Sequence, residues 1–142
     1  MLLLYRALEL LAQHRLALRA VDASDISQEV RSLHGADFAR ISRKVHGAAR
    51  ELSRDVGLVD AWILLLCMKD GLVNDESFIG AIKQNSQVRN GLWLIHGNAS
   101  IAEKEWKVFS AFVRREMTRA VDGLLNRLDD YRFATVSATA GL

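Results

Sequence analysis

The chain contains no proline and a single cysteine. Without proline, no position inside an element loses its backbone donor or has φ locked, so helices can run unbroken. The lone thiol, Cys67, excludes an internal disulfide and points to a reducing compartment. It lies in the apolar run 61–68, where a buried and inert sulfur is expected. That run is the longest of its kind and falls far short of the roughly 20 residues a helix needs to span a bilayer. The apolar start, MLLLYRALELL, has no preceding basic residues and no small-residue cleavage site, so no signal peptide and no membrane partner are expected. The formal charge is only +2, so any preference for a polyanion has to come from how charge is distributed.

Catalytic and ligand-binding signatures are missing as well. The four histidines, His14, His34, His46 and His96, are scattered, and none belongs to an HExxH or paired Cys/His motif. There is no GxSxG and no phosphate-binding glycine loop. These absences argue against an enzyme, a cofactor, a metal and a small-molecule substrate. His34 and His96 each precede a glycine and read as helix-end residues, where a partly positive imidazole suits the dipole.

What is present is helix-forming. Half of the 142 residues are hydrophobic and a quarter are charged, with Leu, Ala, Arg and Glu abundant. We read an all-α protein, a single helical-bundle domain of five to six helices over residues 1–133, followed by a disordered tail over 134–142. The first helix is predicted over 2–20, with Leu4, Leu8, Leu11 and Leu18 inward and Leu2, Leu3, Leu10 and Leu16 spilling beyond that face. A short helix with Ile26, Val30 and Leu33 should stop at Gly35. Residues 58–70 are apolar almost all round and should form the buried centre, with Gly71 as the stop. A further helix begins near Asn74-Asp75, with a polar stretch at 84–87 as a potential break. The last helix opens on the capping box Ser100/Glu103 and carries the stripe Trp106, Phe109, Val113, Met117, Ala120, Leu124, Leu128 to about residue 133. Phe112, at the edge of that stripe, is the best candidate for an exposed contact.

The segment 37–57 carries the functional expectation. Phe38, Ile41, Val45, Ala48, Leu52 and Val56 recur every three or four residues, one face of a helix. Arg40, Arg43, Lys44, Arg50 and Arg54 fall on the opposite face. Guanidinium groups fork onto phosphate oxygens, so this flank suits nucleic acid. The last helix repeats the theme more weakly with Lys104, Arg115 and Arg119. Contacts of this kind give steep salt dependence and no sequence preference.

The run from Phe38-Ala39-Arg40 through Gly57-Leu58 into the apolar helix after it resembles the small helical subunit of type III and type IV CRISPR effector complexes. The long closing helix with Trp106 and repeated arginines is similar too. The resemblance implies a non-catalytic subunit of a cytoplasmic ribonucleoprotein, concerned with antiviral defence. It would touch other effector subunits and copies of itself around a guide RNA and steady a target or displaced strand through the arginines named above. The alternative reading is a helical protein–protein adaptor of phage or secretion-system type, with the arginines as solvated decoration.

Overall fold

The computed structural model describes residues 2–95 and 103–120. Five helices occupy them: α1 (Leu2–Ala17), α2 (Gln28–His46), α3 (Leu58–Cys67), α4 (Glu76–Ile95) and α5 (Glu103–Ala120). No strand occurs among the described residues, so the fold is all-α as expected. Residues 96–102 and 121–142 lie outside the description, and with them Ser100, His96, the end of the last helix and the expected tail.

The apolar segment is the centre of the core. Ala61, Trp62, Ile63, Leu64 and Leu65 of α3 are all buried, and α1, α2 and α4 pack around it. A helix apolar on every side leaves no face for water, so it has to be enclosed. Trp62 meets Phe78 of α4 edge-on at 5.1 Å between ring centres, and Phe78 meets Phe112 of α5 at 5.7 Å. Phe112 is therefore part of the core and not an exposed contact.

Several boundaries differ from the expectation for local reasons. Gly35 does not end a helix, because Ser27 caps α2 further upstream: its Oγ accepts the Val30 N–H at 3.3 Å, and α2 then runs through Gly35 to His46. His34 is accordingly a mid-helix residue. The basic helix stops at His46, where Gly47 adopts φ +84° and donates its N–H to the Arg43 carbonyl at 2.9 Å. Residues 48–57 are a loop, yet Leu52 and Val56 are still buried, because their backbone is tied to the α1–α2 turn. Ile26 N–H reaches the Arg54 carbonyl at 2.7 Å, and Val56 N–H reaches the Ala23 carbonyl at 3.0 Å. Gly57 thus starts α3 instead of closing the basic helix. The polar stretch 84–87 does not break α4. On α1 the inward residues are Leu8, Leu11, Ala12 and Leu16, while Leu18 lies past the helix end and is exposed.

The ends of α1 and α3 share a geometry. Val21 N–H bonds the Leu16 carbonyl and Ala20 N–H bonds the Ala17 carbonyl; Asp70 N–H bonds the Leu65 carbonyl and Lys69 N–H bonds the Leu66 carbonyl. Both are Schellman closures. Their left-handed residues are Ala20 at φ 57° and Lys69 at φ 54°, where glycine is usual.

Asp70 joins these two ends. Its side chain is 1 % exposed. Arg15 Nη2 donates to it at 2.9 Å, Arg19 Nε at 3.1 Å and the Leu72 N–H at 3.0 Å, while Arg19 also reaches the Met68 carbonyl at 3.2 Å. Burial pushes this carboxyl upward, but the bonds from Arg15, Leu72 and Arg19 outweigh it and the net shift is downward.

Two outcomes are expected. Asp70→Asn destabilises the fold by about 2–3 kcal/mol at neutral pH, because two part-buried guanidinium groups lose their counter-charge. A carboxyl with a depressed pKa stabilises above its unfolded value and loses that contribution as pH falls through the folded one, so the gap between parent and variant narrows below about pH 4. Urea titrations at several pH values read this out. Lys69→Gly raises stability by a few tenths to about 1 kcal/mol, since the left-handed strain it removes exceeds the entropy glycine adds to the unfolded chain. A lowered Tm would contradict that account.

Candidate nucleic-acid interface

The five cations of segment 37–57 do not form one array. Arg40, Arg43 and Lys44 are on α2, whereas Arg50 and Arg54 lie in the loop after Gly47. Four of the five meet the protein's own carboxylates. Arg40 is 3.2 Å from Asp37 and 3.8 Å from Glu76, and Lys44 is 2.9 Å from the same Glu76. Arg50 is 3.5 Å from Asp60, and Arg54 is 2.6 Å from Asp25. The Arg54 hydrogen bond holds the Asp25 carboxyl below its usual range. Arg43 is exposed and has no such partner among the described residues. Exposed pairs of this kind contribute little to stability and can exchange for phosphate. They nevertheless cancel much of the field that a bare cationic stripe would project.

Glu76, in the first turn of α4, bridges Arg40 and Lys44 and so fixes α4 to α2. Lys83 adds a second tie, donating to the Val45 carbonyl at 2.7 Å at the open end of α2. Beside it, His46 Nε2 lies 2.9 Å from Asp60 Oδ1, with the imidazole only 10 % exposed. The buried Ser42 accepts the Arg50 N–H at 2.8 Å and donates to the Ala39 carbonyl. A histidine oriented by a carboxylate is a common acid–base arrangement. Here it is enclosed by the joint between α2, the 47–57 loop and α3, which is a structural role.

On α5, Arg115 and Arg119 converge on one carboxylate. Arg115 Nε donates to Glu116 Oε1 and Arg119 Nη1 to Glu116 Oε2, each at 2.7 Å. Glu116 is 1 % exposed, the more deeply buried partner of both pairs. Sequence reading treated it as an interruption of the basic face. The signal was there, since Glu116 is seven residues after Phe109 and three after Val113, inside the apolar stripe. The side chain of Lys104 lies outside the described residues.

Cys67 is part-buried, and burial pushes its thiol up to about 11. Burial thus disfavours the thiolate, the reactive form, at neutral pH. Among the described residues no group of His, Cys, Asp and Glu is placed to hold a metal ion, and no helix is long and apolar enough to cross a membrane.

Comparison with known proteins supplies what the described geometry does not. A family model described as the Csm6 HEPN domain matches residues 1–120. No curated protein and no solved structure matches the chain. The matched family is CRISPR-associated, in agreement with the resemblance read from the sequence. One further pair of polar residues stands in the sequence near the end of α4. Arg89, within the last two turns of α4, is followed seven residues later by His96. Seven residues are two helical turns. The sequence reading of His96 is that of a helix-end residue. The side chain of Arg89 and all of His96 lie outside the described residues.

Alkylation tests the thiol assignment. Cys67 should react slowly with iodoacetamide at pH 7–8, with the rate climbing through about pH 11. Rapid modification at neutral pH would show an activated sulfur.

Proposed function

The chain belongs to the CRISPR-associated Csm6 HEPN domain family, and on that premise we propose that it cleaves single-stranded RNA. HEPN domains are often RNases, which bears against the non-catalytic role expected from sequence. The family match is the observation that carries the reading. Arg89 and His96 supply the chemistry it needs. RNA breaks when its 2′-oxygen attacks the neighbouring phosphorus and the 5′-oxygen leaves. The proton lost by the 2′-hydroxyl ends on the departing 5′-oxygen, leaving a 2′,3′-cyclic phosphate and a 5′-hydroxyl. An imidazole that titrates near neutrality can carry that proton, and a guanidinium can hold the charge that builds on the phosphoryl oxygens. Of the four histidines, His46 is committed to Asp60, and only His96 follows an arginine at two-turn spacing.

The cations read from the sequence act as strand contacts in this proposal. Arg43 is the most available, and Arg115 and Arg119 supply a second position. Arg40, Lys44, Arg50 and Arg54 contribute only by exchanging an internal carboxylate for phosphate. The protein works in the cytoplasm, with RNA and other components of a CRISPR system as its partners. A guide-RNA complex, effector subunits and further copies of the chain are the partners if it only holds a strand. An adaptor that never meets nucleic acid is the remaining rival.

Incubation with labelled single-stranded RNA, and with DNA of the same sequence, separates these roles. Cleavage of RNA but not DNA is expected, with products ending in a cyclic phosphate. Arg89→Ala and His96→Ala should each lower the rate at least about 100-fold with helical circular dichroism unchanged. Binding without cleavage would favour the strand-holding role, and no binding at any salt concentration would favour the adaptor. Arg43→Glu should weaken RNA binding and reduce its salt slope by about one or more.

A further inference from the structure

A groove of about 350 Å³ lies between the start of α4 and the middle of α5. Phe78 and Ala81 line one side, and Phe112, Arg115, Glu116 and Arg119 the other. We propose that this groove receives an unpaired RNA base stacked on the Arg115 guanidinium, with Arg119 taking an adjoining phosphate. The inference rests on the RNA reading above and adds where the strand is held.

The two arginines are held by a carboxylate that water does not reach. Glu116 is 1 % exposed and accepts from Arg115 and Arg119 on separate oxygens at 2.7 Å. Arg115 remains 66 % exposed, and its guanidinium carbon lies over the Phe112 ring, 5.5 Å from the centre. Phe112 is backed in turn by Phe78, and Phe78 by Trp62. One side of the planar cation therefore rests on a chain of rings leading into the core, and the rest faces solvent. A guanidinium oriented in this way is a platform for an unpaired base.

The charge balance in the groove favours a base over a bare phosphate. Asp75 also lines it, so two carboxylates face two guanidinium groups and no net cationic field results. The Asp75 carboxylate is occupied as the α4 cap, accepting the Ser77 and Phe78 N–H groups at 2.9 and 3.1 Å. A ligand held by charge alone would gain little here, whereas stacking does not depend on net charge. Stability does not account for the buried network either, since apolar residues of similar volume usually serve a core as well or better.

The test uses His96→Ala protein, which leaves RNA intact, and a single-stranded RNA carrying 2-aminopurine. Arg115→Lys keeps the charge but loses the plane. It should weaken binding roughly tenfold and abolish the 2-aminopurine quenching, with the salt slope unchanged. Arg119→Ala should lower the slope by about one. Ala81→Phe fills the groove from α4 without altering charge and should reproduce the loss of quenching. Circular dichroism confirms that each variant is folded. Unchanged affinity and quenching in Arg115→Lys and Ala81→Phe, while the parent still cleaves RNA, would overturn the groove and leave the proposed function standing. Absence of RNA binding by the parent would overturn both.

Discussion

The whole arrangement depends on how the buried Asp70 carboxylate is satisfied. It follows α3, the most apolar helix, and its counter-charges come from the end of α1 and the turn that closes it, more than fifty residues earlier in the chain. An isolated carboxylate at that depth would be too costly to keep ionised. Two guanidinium groups and a backbone N–H make the position tolerable only when α1 lies against the end of α3. The interaction therefore acts as a register mark more than as a source of stability. Hydrophobic burial drives the helices together, and the ion cluster selects the one alignment in which no charge is stranded.

The same economy governs the surface cations. Arginines spaced along a helix look like an offer to a polyanion, and counting charge along the sequence shows nothing else. In the folded chain Glu76, Asp60 and Asp25 come from other segments and neutralise four of the five. Arg43 on α2 is left without such a partner among the described residues, and the two arginines of α5 share Glu116. A domain with a net charge of only +2 thus does not advertise its ligand by field strength.

Much of the fold was legible. The apolar periodicity located the first, third and last helices and the central role of the 58–68 segment, because one-sided and all-round burial leave different patterns. The boundary at Gly47 was missed because Leu52 and Val56 keep helical spacing by coincidence and are buried from a loop. Gly47 itself, preceded by Arg43, Lys44 and His46, carried the correct stop signal. The burial of Asp70 was not legible because a single position does not reveal which remote arginines it will meet, whereas Glu116 lay within the apolar stripe with its arginines one and three residues away. The Arg89–His96 pair was overlooked for a different reason. An arginine and a histidine seven residues apart form no recognisable signature on their own.

The shared carboxylate on α5 has a consequence for how this molecule can change over time. Glu116 serves two arginines, while Arg115 is mostly in water, Arg119 is partly so, and either could be hydrated if released. Loss of either cation is survivable because the other remains, but loss of both would strand a carboxylate that water does not reach. Lineages descending from such a chain should drift freely at 115 or 119 one at a time. They should not lose both while 116 stays acidic, so the order of substitution is imposed by which member of the trio is dry.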